Sequence, residues 1–102
     1  MSWDDFYRRR DALDAVLRDA RDDPQAPLIV DPDVFDSLEE LLLALRHRWD
    51  QRLTSHITVE LLDSTDDHAA VLARVTRRLT AEDPTLRAVL DAHLDTAHAR
   101  SA

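Results

Sequence analysis

The chain has 102 residues, 44% of them hydrophobic and 33% charged, carries a formal net charge of −8, and contains neither glycine nor cysteine. That length suits one domain with a single core over residues 1–102. The missing cysteines exclude disulfides and thiolate metal sites. The acidic balance argues against DNA or RNA as a partner, because phosphate binding needs a net basic face.

Without glycine no residue takes a positive φ cheaply, so tight Asn-Gly hairpin turns are closed off and the expectation is an all-α chain. The start of the chain carries Asp4, Asp5 and Arg8 to Arg10 where a signal peptide would need an apolar segment. No apolar run approaches the roughly 20 residues that span a bilayer. A cytoplasmic protein with no membrane partner is expected. Every basic residue is Arg; Arg8 to Arg10, Arg46 with Arg48, and Arg77 with Arg78 lie among Asp and Glu at helical spacing, the pattern of a solvated face laced with ion pairs.

A first helix begins at Trp3, with Ser2 as N-cap, Asp5 as the N3 acid, and Met1 and Phe6 as a hydrophobic staple. Phe6, Leu13, Val16, Leu17 and Ala20 fall on its core side. It ends near Arg21 to Asp23, because Pro24 disfavours helical geometry in the residue before it. Residues 24–32 form the only linker. Leu28, Ile29 and Val30 are too apolar for a free loop and are expected to fold back on the bundle end.

Asp31 and Pro32 read as N-cap and N1, with Val30 and Phe35 as a staple, and Ser37 with Glu40 is a capping box. The second helix therefore starts at Pro32 or at Leu38, residues 32–35 being a separate turn in the second case. From Ser37 to Leu62 it would run about 39 Å. Leu38, Leu41, Leu42, Leu45, Trp49, Leu53 and Val59 share one stripe of this helix, which also collects Arg52, His56 and Glu60. A helix this long either bends near Thr54 and Ser55, whose hydroxyls compete for backbone carbonyls, or packs its overhang on a second copy of the chain.

The third helix is marked by Ser64 as N-cap and Asp67 at N3, with Val71, Leu72, Val75 and Leu79 as its stripe. Asp83 and Pro84 repeat the cap-and-N1 pattern and start the fourth helix, whose stripe is Leu86, Val89, Leu90 and Leu94. Short connections among the last three helices imply antiparallel neighbours. The predicted fold is an up-and-down four-helix bundle with one long second helix.

Three features bear on function. His56, His68 and His93 lie on different helices, and Glu60 follows His56 by one turn, so a metal-binding bundle using His56, Glu60, His68 and His93 is an alternative reading. The Glu-x-x-His pair of di-iron bundles is absent, and boundary histidines bonded to Asp or water are the simpler account. Arg52, His56 and Glu60 form a polar ladder. It either fixes pairing with another helix or, the favoured reading, faces water while Ile57 and Leu61 take over the buried side.

Trp3, Tyr7 and Trp49 suit a core, a pocket or an interface; core filling is favoured for Trp49, an interface for Trp3 and Tyr7. Ser55 beside His56, and Asp91, His93 and Asp95, have triad-like composition, but neighbours on a helix point in different directions. No catalytic role or cofactor is assigned on this basis.

The segments SWDDFYRRRDALDAVLRDA and PTLRAVLDAH resemble short, uncharacterised helical proteins of high-GC actinobacteria, whose nucleotide bias also fits the all-Arg, Ala- and Asp-rich composition. The resemblance implies no activity, cofactor or functional residue. The expected function is protein interaction, with a homodimer as the expected partnership. Trp3, Tyr7, Trp49, Arg52, Leu53, His56 and Glu60 are its candidate interface residues.

Overall fold

In a computed structural model the backbone is described for residues 3–63, 65 and 67–101, and side chains for these except 63 and 95–101. Four α-helices follow one another: α1 (Trp3–Ala20), α2 (Leu38–Asp63), α3 (His68–Glu82) and α4 (Pro84–Ser101). No described residue takes a positive φ, which agrees with the cost of that region for residues other than glycine. The fold is all-α and α2 is the longest helix; the four helices form a bundle in which each helix packs on the next and α4 closes onto α1. Helix α2 also touches α4 and so contacts all three others, whereas α1 and α3 do not meet among the described residues.

The helix boundaries follow from local chemistry. Asp4 and Asp5 sit at the positive end of α1 and Arg18 in its last turn, both favourable to the helix dipole. The proposed cap Ser2 and staple residue Met1 lie outside the described residues, as does Ser64. At Asp31 the carbonyl accepts from the amides of Val34 (3.1 Å) and Phe35 (2.9 Å), and the carboxylate accepts from the Asp33 amide (3.0 Å). These bonds close one isolated turn, so residues 32–35 are separate from α2. The helix proper is capped by Ser37, whose Oγ accepts from the Glu40 amide (3.1 Å). Glu40 returns the bond to the amide of Asp36 (2.8 Å), one residue before the usual capping-box position.

One start differs from expectation. Asp67 is the N-cap of α3 and accepts from the Ala70 amide (2.7 Å), so the helix begins at His68 rather than three residues earlier. The junction between α3 and α4 is the single residue Asp83. Its amide donates to the Leu79 carbonyl (2.9 Å), ending α3, while its carboxylate accepts from the Leu86 amide (3.3 Å), starting α4. Pro84 follows at the position where a missing N–H costs nothing.

Leu13, Ala20, Phe35, Leu41, Leu42, Leu45, Trp49, Leu79, Leu86, Val89 and Leu90 form one buried cluster. All four helices contribute, but α2 does so only through its first half. Val71 and Val75 are fully buried outside that cluster. Four residues assigned to core stripes are exposed: Phe6, Leu38, Val59 and Leu72.

The connection from α1 to α2 is a strap that runs back along α1. Ala26 to Ile29 lie against Val16 and Ala20, Val30 to Pro32 against Ala12 and Val16, and Asp33 and Val34 against Asp5, Arg8 and Arg9. Leu28 and Val30 are half-buried on the core, while Ile29 is 78% exposed, so only two of the three apolar strap residues turn inward. The strap returns the chain to the beginning of α1. Arg9 then pairs with Glu40 (3.6 Å) and Asp14 with Arg48 (2.7 Å), which makes α1 and α2 rise in the same sense.

Helix α2 is continuous through Thr54 and Ser55. The Ser55 hydroxyl donates to the Gln51 carbonyl and that of Thr58 to the Thr54 carbonyl, both at 2.9 Å, without interrupting the helix.

Candidate functional site

The polar ladder of α2 lies against α3. Arg52 is paired with Asp83, His56 Nε2 stands 3.8 Å from a Glu82 carboxylate oxygen, and Glu60 receives Arg74 (3.0 Å) and Arg78 (2.8 Å). The partner number falls as the α2 number rises, so the two helices run antiparallel. The favoured expectation that these side chains face open water is therefore corrected: they face a neighbouring helix of the same chain. Ile57 is half-buried, but Leu61 is 40% exposed and does not replace them on the buried side. The hydrogen bond from Arg74 acts most strongly on the Glu60 carboxyl; desolvation opposes it, and the hydrogen bond from Arg78 with the positive charges of both arginines leaves the carboxyl below its ordinary value.

The four residues of the metal-site alternative are not brought together. Glu60 is engaged by two arginines and His56 faces Glu82, whereas His68 is exposed at the start of α3. His93 sits on α4, where its Nε2–H donates to the Pro24 carbonyl at 3.0 Å, tying α4 to the strap. Among the described residues no three metal-ligating side chains converge. Ser55 directs its hydroxyl to its own helix backbone rather than to His56.

Of the candidate interface residues, Trp49 is only 3% exposed, with the Arg87 guanidinium 4.8 Å over its ring and Asp91 holding that guanidinium in turn. It is a core residue covered by a cation. Leu53 is half-buried against the core.

Trp3 and Tyr7 do lie on the open surface, and Phe6 joins them. The three are 76%, 44% and 52% exposed respectively, yet they touch one another: Trp3 stacks on Tyr7 with centroids 6.2 Å apart, and Phe6 meets Tyr7 edge-on at 5.5 Å. The Arg10 guanidinium lies 4.8 Å over the Tyr7 ring.

This face borders a groove of about 620 Å³ between α1 and α2. Phe6, Leu13, Leu43 and Ala44 give it an apolar floor, and Arg9, Arg10, Glu40, His47 and Arg48 a polar rim. Leu43, 61% exposed, extends the aromatic face onto α2. Phe6 and Leu43 were not among the expected site residues. Phe6 shares a helical side with Leu13 and reads as core, while Leu43 falls off the α2 stripe; a large apolar residue on a polar face was its only signal.

Among the described residues no helix is long and apolar enough to cross a membrane. No family model matches this chain, and comparison with curated proteins and with solved structures likewise gives no match.

Proposed function

We propose that this chain is a non-enzymatic helical interaction module that self-associates through the face formed by Trp3, Phe6 and Tyr7 of α1 and Leu43 of α2. The observation that carries this reading is how the aromatic residues are allocated. The chain has two Trp, two Phe and one Tyr; Phe35 and Trp49 fill the core, and the other three lie side by side in the open. Each exposed ring forgoes a large part of the roughly 1.5–3 kcal/mol that burial would supply. Contiguous apolar faces on small domains mark places where another surface docks.

The long second helix enters this reading through Leu43 and not through its ladder, whose charges are already engaged by α3. Rings of this kind bury about 150–250 Å² each when fully covered. At the exposures found here, the three from two copies would bury on the order of 700 Å², below the roughly 1,200 Å² of a stable interface. The expected dimer is consequently weak, with a Kd in the micromolar range or above.

Sedimentation velocity over a concentration series tests it. The weight-average coefficient should rise with concentration in the unmodified chain and stay flat in Trp3→Ala/Leu43→Asp, while both keep the same helical circular dichroism. A concentration-independent monomer in the unmodified chain would remove the reading.

A further inference from the structure

The strap between α1 and α2 contains a short stretch with the geometry of a lone β-strand. From Ala26 to Asp31 the residues alternate strictly between half-buried and exposed, the period of two that an extended backbone imposes. Leu28 and Val30 turn to the core, and Ile29 between them stands 78% exposed. Among the described residues, no backbone amide or carbonyl of Leu28, Ile29 or Val30 takes part in a hydrogen bond. Unpaired extended backbone of this kind is a template on which another extended chain can add as a strand.

The surroundings select the kind of chain. Two shallow grooves of about 150 and 340 Å³ follow the seam between the strap and α1, and both are lined by Val16, Asp19 and Ile29. Ala12 and Ala15 widen the larger one by their small side chains. The charged residues lining the two grooves are Asp19, Asp23 and Asp31, all acidic; Arg18 and Arg21, at the end of α1, line neither. Among the described residues no cation pairs with these three carboxylates. Those of Asp23 and Asp31 accept backbone amides instead, from Gln25 (3.2 Å) and Asp33 (3.0 Å).

We infer that the strap is a docking edge for an extended basic segment of another protein, which adds as a strand beside Leu28 to Val30. Its apolar side chains enter the seam with α1, and its flanking Lys or Arg residues meet Asp19, Asp23 and Asp31. Charge complementarity favours this occupant over a second copy of the chain, whose strap would bring its own Asp23 and Asp31 against the same acids. The edge shares no residue with the self-association face and stands independently of it.

A labelled peptide, RKVTVTVRK, tests the inference against EDVTVTVDE, which has the same core and the opposite charge. In fluorescence anisotropy the basic peptide should bind saturably and the acidic one at least about tenfold more weakly. Alternate residues of a strand present their amides to the same edge, so NMR solvent exchange in the complex should slow either Leu28 and Val30 or Ile29, by about tenfold or more. Asp19→Asn/Asp31→Asn keeps the side-chain oxygen that closes the turn at residue 31 and should melt as the unmodified chain does, yet bind the basic peptide about fivefold more weakly.

Absence of saturable binding, equal binding of the two peptides, or binding that leaves all three amides fast overturns the inference. Undiminished affinity in the folded double variant does so too. Slowing of these amides in the chain alone, growing with its concentration, assigns the edge to a second copy and overturns the basic occupant.

Discussion

At the scale of single residues, the titration of Glu60 links to stability. Two arginines from α3 converge on its carboxylate, and its pKa lies below the ordinary 4.5. A carboxyl whose folded-state pKa is depressed contributes stability that is fully present above the unfolded value and lost as pH falls through the folded one. The contribution is therefore intact at neutral pH and disappears below about 4.5, in the acid range. Glu60→Gln should lower the melting temperature at pH 7 by a few degrees at most, since ion pairs screened by solvent contribute little net stability. The gap between variant and unmodified chain should close as the pH is lowered through the acid range. Thermal denaturation across that range checks it; a gap that stays constant with pH would mean that lost packing, not lost charge, causes the difference.

At the scale of elements, the strap between α1 and α2 shows what period and composition reveal and what they leave out. Phe35 is 1% exposed and anchors the strap's end in the core, with the Arg9 guanidinium 5.2 Å over its ring. Phe35→Ala should cost about 3–5 kcal/mol in chemical denaturation, through lost burial and the cavity left behind. Ile29→Ser, at an exposed position of the same strap, should change stability by less than about 0.5 kcal/mol. Equal losses at the two positions would show that the strap does not pack as described. That Leu28, Ile29 and Val30 pack somewhere was legible from their apolar run. Which of them turn inward was not, because an extended segment alternates its side chains and Ile29 falls on the outer side.

The helix start at Asp83 was legible because one cap residue stands alone before a proline and an apolar period, whereas the start of α2 was narrowed only to Pro32 or Leu38, since Asp31 and Ser37 are both competent caps. The start of α3 was not legible: residues 63–67 are Asp, Ser, Thr, Asp and Asp, and every one is a competent cap, so tertiary packing chooses among them. The ladder was legible as a face of α2. Its partner was not, since a helical period tells which residues share a side and never which neighbour covers it.

At the scale of the whole molecule, the core is unevenly distributed along α2, and that has a dynamic consequence. The first half of the helix is enclosed by α1, the strap and α4. Beyond Leu53 the second half packs, among the described residues, mainly on α3, which brings the buried Val71 and Val75 and ion pairs whose side chains remain partly exposed. Val59 and Leu62 at that end are 61% and 81% exposed. Segments with few buried apolar contacts open locally at a free energy well below that of global unfolding.

Amide hydrogen exchange should therefore follow a gradient. Residues 41–49 and 86–90 should exchange only on global unfolding, and residues 57–63 with 68–72 faster by about two orders of magnitude or more. Because exposed ion pairs supply part of the hold on the far end, raising the ionic strength to about 1 M should speed exchange there by severalfold and leave the core amides unchanged. Uniform exchange along α2, or salt sensitivity spread evenly over both halves, would show that α3 is held as firmly as the rest. The gradient also predicts where the aromatic surface of α1 stands. It borders the slow half of α2, at Glu40, Leu43 and Ala44, so a partner docking there would meet a preformed face and would pay little for ordering it.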